Sequence, residues 1–270
     1  MHRKIFGLLF SMFFWTATLV AFGQSDYKVV AVTDGGTISG TVKWSGPVPH
    51  TLDFPVTKDP QICDPASKKT TDLERLVIGP DSGVANTVVY LKNITSGKAF
   101  DLPQQGRHLD QKRCRYIPHI LLVPKNGTLD MVSSDATLHT VHMDGTANFN
   151  LAFPFPDRIS SRTISNAGLS HLRCNGGHVW MNAEMMVVTH PYYAVTDESG
   201  RFQLTEVPPG TYQIVAWHEG WGLAGKEQAY DVLTERSVRR PVFTEPKTWE
   251  KLVTVNENQA TTIDFVIANK

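Results

Sequence analysis

The sequence has no surplus of charge of either sign. Its 270 residues carry 26 Lys and Arg against 26 Asp and Glu. Nucleic acid and anionic membrane surfaces recruit proteins through basic excess, so neither is expected as a partner. Hydrolase signatures are also missing: the chain has no Gly-x-Ser-x-Gly elbow and no His-Glu-x-x-His pair. There is no internal repeat, and no membrane-length apolar run follows the N-terminal one. Cysteine is scarce, with three in all: Cys63, Cys114 and Cys174.

The N-terminal run MHRKIFGLLFSMFFWTATLVAFGQS starts basic at Arg3 and Lys4, continues apolar, and ends in the small-x-small triplet Ala21-Phe22-Gly23. It reads as a signal peptide over residues 1–23, with an uncleaved anchor as the alternative. No cysteine lies near the cleavage site to carry a lipid. The expected location is therefore periplasmic or secreted, with no membrane association after cleavage. An odd cysteine count in an oxidising compartment leaves one thiol over. Pairing Cys63 with Cys114 leaves Cys174 as the free thiolate; two buried thiols are the alternative. A bridge between them would close a loop of about 50 residues and contribute roughly 4 kcal/mol in the chain-entropy description.

Valine and threonine are frequent, and Gly and Pro punctuate short runs, which favours an all-β protein. GTISGTVKW alternates Ile38, Gly40, Val42 and Trp44 on one face, and ANTVVYLKNI (85–94) reads as a second strand. Turns are expected at Asp197 to Gly200 and at Pro208-Pro209-Gly210, with period-two strands around them. Ile263, Phe265 and Ile267 alternate again near the end. The polar stretch 225–250, with Arg236, Arg239 and Arg240, reads as a solvated excursion, with a docking surface as the alternative.

GTISGTVKW, VVYL and AVTDESGRFQLTEVPPGTYQIVAW together resemble the carboxypeptidase regulatory-like domain, a transthyretin-like β-sandwich. In that family these pieces follow one another closely. Here about a hundred residues separate them, and neither half alone has enough strands to bury a core. The expected architecture is one sandwich (27–97 and 191–270) split by a second β-domain (98–190), an arrangement tolerated at loop tips.

The inserted segment carries CNGGHVWM, in which Cys174, His178 and Met181 fall within eight residues. Thiolate, imidazole and thioether together select copper, since sulfur donors match Cu(I) and imidazole suits both oxidation states. Gly176 and Gly177 allow the positive φ that a tight loop needs. A mononuclear blue-copper-type centre takes a second histidine, and SSDATLHTVHMDG offers His139 where a strand begins. RYIP, VPKNGTL, the His139 motif and the Cys–His–Met loop together resemble a cupredoxin. The resemblance implies a Greek-key sandwich holding one type 1-like copper ion through His139, Cys174, His178 and Met181.

Two departures stand out. The loop spacing differs from plastocyanin and matches the second half of the purple dinuclear copper loop of cytochrome oxidase. The further cysteine of that family is replaced by Ser170, so one ion rather than two is expected. Thr140 stands where cupredoxins usually place an Asn that ties the two ligand loops together. Combined, the mature chain resembles bacterial methylamine-utilisation-like secreted proteins.

A filled Cys-His-His-Met set leaves no open position for substrate, so the expected function is one-electron transfer to a redox partner protein rather than catalysis. The alternative is a carbohydrate- or cell-surface-protein-binding module with a structural or storage copper site. A copper enzyme would need a second, open site, and no spacing gathers His119, His142 and His171. Strand alternation turns His142 away from the face of His139, towards the surface. His119 and His171 read in the same way. His218 and Glu219, in WHEG, read as strand-end structural residues, with binding of a partner or a metal as the alternative. Trp180 is expected either to cover the copper or to pack in the core.

Overall fold

The computed structural model describes residues 27–49, 53–100, 107–231 and 234–269. The expected signal segment lies outside them. Among the described residues no helix is long and apolar enough to cross a membrane.

The chain is all-β, in two sandwiches. In the outer one, a sheet orders Tyr193–Val195, Val88–Lys92, Gly210–His218 and Lys247–Val255. Its facing sheet sets Arg201–Val207 and Ala260–Thr262 on either side of Gly36–Ser45, with Phe265–Ala268 continuing along that strand. Alternation puts Ile38, Val42, Phe202, Leu204, Phe265 and Ile267 against Val89, Leu91, Ile214, Ala216, Val253 and Val255. Each of these side chains except that of Ala216 contributes about 1.5–3 kcal/mol of burial.

The inner sandwich occupies the middle of the chain. One sheet orders Ser160–Ile164, Gly127–Ser133, His108–Lys112 and Arg115–Ile117. The other orders Phe149–Phe153, His139–Gly145, Gly168–Arg173, Asn182–Val188 and Ile120–Pro124. Leu109, Tyr116, Leu129 and Met131 from the first meet Leu121, Val141, Met143, Leu172 and Met185 from the second.

The chain leaves the outer sandwich after Val88–Lys92 and returns through Tyr193–Val195, which pairs antiparallel with that strand, Tyr193 opposite Tyr90. The inner sandwich is thus tied to the outer one at both of its ends. Ile120 and Leu122 explain why ILLVP is apolar throughout. Leu121 and Val123 point into the inner core. Ile120 and Leu122 join Val88, Val188 and Trp217 in a smaller cluster between the sandwiches.

The stretch 225–250 is largely exposed, as expected, but it is ordered and reaches the inner sandwich at Arg240. Leu223–Asp231 and Arg236–Phe243 form an antiparallel hairpin, and Arg240 within it is 8% exposed. Its burial is explained by acceptors on the inner sandwich that no local pattern announces. A second outer segment, with Asp53–Pro55 paired to Thr70–Asp72 and a short helix Pro60–Cys63 between them, also reaches the inner sandwich. The disulfide Cys63–Cys114 joins the two across 51 positions.

Candidate metal centre

His139 opens the strand His139–Gly145, while Cys174 directly follows the strand Gly168–Arg173. His142 pairs with Arg173 in that ladder, which brings the start of one strand beside the end of the other. His178 lies four residues beyond Cys174, after a turn in which Gly177 has φ +91°. A Cβ on Gly177 would collide with the Asp231 carboxylate and the Lys58 ammonium. Gly176 is needed for a different reason from the expected one. A Cβ there would lie 2.9 Å from the Leu138 carbonyl oxygen and 3.3 Å from Cys174 Sγ.

These elements bring together a sulfur and two imidazole nitrogens. Cys174 Sγ lies 4.0 Å from His139 Nδ1 and 3.8 Å from His178 Nδ1. The two rings meet edge to face with centroids 4.4 Å apart, and all three residues are fully buried. A first-row ion about 2.0–2.3 Å from each donor needs sulfur–nitrogen separations of roughly 3.5–3.8 Å; the 3.8 and 4.0 Å present reach that range with a shift of a few tenths of an ångström.

The far edges of both rings are held by carboxylates. His139 Nε2 faces Asp135 Oδ2 at 2.9 Å, and His178 Nε2 faces Asp59 Oδ2 at 2.9 Å. A ring that donates its Nε2–H to a carboxylate presents the Nδ1 lone pair to a metal; this is the usual outer partner of a ligating histidine. Asp135 is itself fixed by the backbone N–H groups of Arg113 and Cys114. Asp59 also accepts from the Thr137 hydroxyl.

The sulfur receives two backbone N–H groups, from Thr140 at 3.4 Å and Gly176 at 3.3 Å. Thr140 Oγ1 accepts the Asn175 N–H at 2.7 Å. The residue that looked like a departure therefore ties the two donor loops together. Arg240 of the hairpin donates to the Cys174 carbonyl at 3.1 Å and to Asn175 Oδ1 at 3.0 Å.

Protonation follows from these contacts. Burial alone would raise the Cys174 thiol, but the hydrogen bonds and charges of His139 and His178 bring it down to about 5. Burial alone would lower His139, but Asp135 and the Cys174 sulfur raise it to about 9. Without metal, the pair is a thiolate beside an imidazolium at neutral pH.

Met181 is buried in the same core, 2% exposed. Its backbone N–H donates to the His178 carbonyl. Trp180 packs in the inner core; its ring meets His178 edge to face at 5.5 Å, and its Nε1 donates to the Cys114 carbonyl.

His142 is half-buried and hydrogen-bonds Asn175. His171 is largely exposed and pairs with Glu184 at 2.6 Å. His119 departs from the surface reading. It is buried between the sandwiches against Glu219, whose other oxygen takes Arg75 at 2.5 Å. The pairing of buried charges explains the burial.

Residues 188–241 match the family described as BOS complex subunit NOMO1-like, second beta sandwich domain. Comparison with curated protein sequences returns no match. Among solved structures, a reduced amicyanin variant is 22% identical, over 33% of this chain and 87% of that one, with a TM-score of 0.28. A copper-containing nitrite reductase from Thermus scotoductus is 18% identical over 34% and 24%, TM-score 0.28. A purple cupredoxin from Nitrosopumilus maritimus is 16% identical over 30% and 98%, TM-score 0.27.

Proposed function

We propose that this chain is an extracytoplasmic copper protein that holds one ion and serves as a one-electron carrier for a partner protein. The observation that carries the reading is the buried trio of His139, Cys174 and His178, with both Nδ1 atoms turned to the sulfur and both Nε2 atoms held by carboxylates. That donor set fits copper, which exchanges one electron between its two common oxidation states. Met181 is the proposed axial donor. The Cys63–Cys114 disulfide supports an oxidising compartment.

The residues have distinct tasks. Asp135 and Asp59 fix ring orientation and tautomer, which limits rearrangement when the charge at the centre changes. The Thr140 and Gly176 N–H groups stabilise negative charge on the sulfur. Full burial keeps water from the donors.

Copper-loaded, oxidised protein is expected to show intense visible sulfur-to-copper absorption that Cys174→Ala abolishes and that fades and returns through cycles of reduction and oxidation. Copper-bound protein without that band would contradict the reading.

A cleft of about 250 Å³ favours a second reading. It lies between the hairpin and the inner sheet, lined by Arg75, Met181, Glu184, Arg240 and Phe243, and His139, Cys174 and His178 do not line it. On that reading the chain is a binding module with a structural copper. Bound copper that resists reversible reduction would favour it.

A further inference from the structure

The disulfide lies beside the candidate metal centre. The Cys63 and Cys114 sulfurs and a His178 nitrogen all lie within 4.8 Å of one another. Cys114 Sγ also falls within that distance of donor atoms of Asp135 and His139. His178 therefore belongs to two donor sets, one with His139 and Cys174 and one with the two bridged cysteines.

The bridge also joins the carboxylates that hold the two histidines. Asp59 lies at the start of the helix that carries Cys63, and it contacts His178. Cys114 donates its backbone N–H to Asp135, which contacts His139. Cys114 is fully buried, while Cys63 is half-buried at the edge of the covering segment. Cys63 is thus the less buried of the two cysteines, and attack by a reductant is expected at its sulfur.

We propose that Cys63 and Cys114 form a reversible pair whose reduced form is a second, redox-gated Cu(I) site, adjoining the first through His178. The inference rests on the copper reading above for its metal, not for its donors. A dithiol reductant supplies two electrons and two protons. The sulfur–sulfur bond breaks, two thiols form, and the reductant becomes a disulfide. Cu(I) then binds the two sulfurs with loss of their protons, and the copper keeps its oxidation state. Two thiolates and an imidazole are a soft donor set suited to Cu(I). A disulfide oxidant takes two electrons from the two thiolates and, with two protons, becomes a dithiol; the sulfur–sulfur bond re-forms, both sulfurs are lost to the ion, and the Cu(I) is expelled with its oxidation state unchanged.

The test uses the full chain with Cys174→Ala, so that only the second set can bind. The variant is reduced with tris(2-carboxyethyl)phosphine, which becomes the phosphine oxide with oxygen from water, and is desalted without air. It is then titrated with Cu(I) against bicinchoninate. One Cu(I) per reduced chain and none per oxidised chain is the expected result. Adding Cys63→Ser and, separately, His178→Ala should each remove that binding, with circular dichroism confirming an unchanged fold. Copper-edge X-ray absorption of the reduced variant should report two sulfur neighbours. Equal uptake by oxidised and reduced protein, or copper without sulfur neighbours, would overturn the proposal. Binding by the reduced variant beside colourless copper-loaded wild type would sink the Cys174 centre and leave this site standing.

Discussion

The two sandwiches bury different things. The outer core is a layer of aliphatic and aromatic side chains, Ile38, Val42, Leu91, Phe202, Ile214 and Phe265 among them. The inner core is equally apolar at its centre, but at one end it buries a thiol and two imidazoles with no exposure. Unpartnered, such groups would cost several kcal/mol. Their partners come from both regions. Asp135 and Thr140 belong to the inner sandwich, whereas Asp59 and Arg240 reach in from the outer chain. The inner sandwich supplies the donors and the outer one supplies the roof.

The sharpest way to break that division is to remove the two carboxylates separately. Asp135→Asn and Asp59→Asn are each expected to lower copper affinity by about 10–100-fold, measured by competition with a chelator. A loss only with Asp135→Asn would make the inner sandwich self-sufficient.

Proton release gives the next largest effect. His139 is raised to about 9 in the metal-free state and must lose its proton before Nδ1 can bind. Cys174 is lowered to about 5 and has already lost its own at neutral pH. Between those values, the His139 proton should make copper affinity rise about tenfold per pH unit. The slope should flatten above the upper value and steepen below the lower one, where the thiol must also ionise. Asp135→Asn removes a hydrogen bond that raises His139, so it should move the upper break to lower pH. Affinity measured across buffers checks both.

Arg240→Met leaves the Cys174 carbonyl without its donor from the hairpin. The expected cost is about 1–3 kcal/mol of stability, read from urea unfolding. No change would make the hairpin a bystander. Smallest of all, His142→Ala should leave copper content unchanged, because that ring is on the other side of its strand; metal analysis decides it.

Much of this was legible in the sequence, for physical reasons. Strand alternation follows from period-two burial, so Ile38, Val42, Phe265 and Ile267 declared themselves. The Cys174–His178 pair is local, and His139 could be found because it stands where a strand begins, just after a loop, as in the cupredoxin-like pattern. The outer partners were not legible. Asp59 lies 119 positions from His178 and Arg240 lies 66 from Cys174, and both sit in polar stretches typical of solvated surface. Thr140 misled for another reason: its hydroxyl and backbone do together what an Asn side chain was expected to do. His119 misled because the charge that buries it, Glu219, comes from a strand end 100 positions away.

The most direct measurement is copper analysis combined with copper-edge X-ray absorption on the oxidised, copper-loaded wild-type chain. One copper per chain with one short sulfur neighbour and two imidazole nitrogens is the predicted result. Copper bound through nitrogen and oxygen alone, with no sulfur neighbour, would contradict the account.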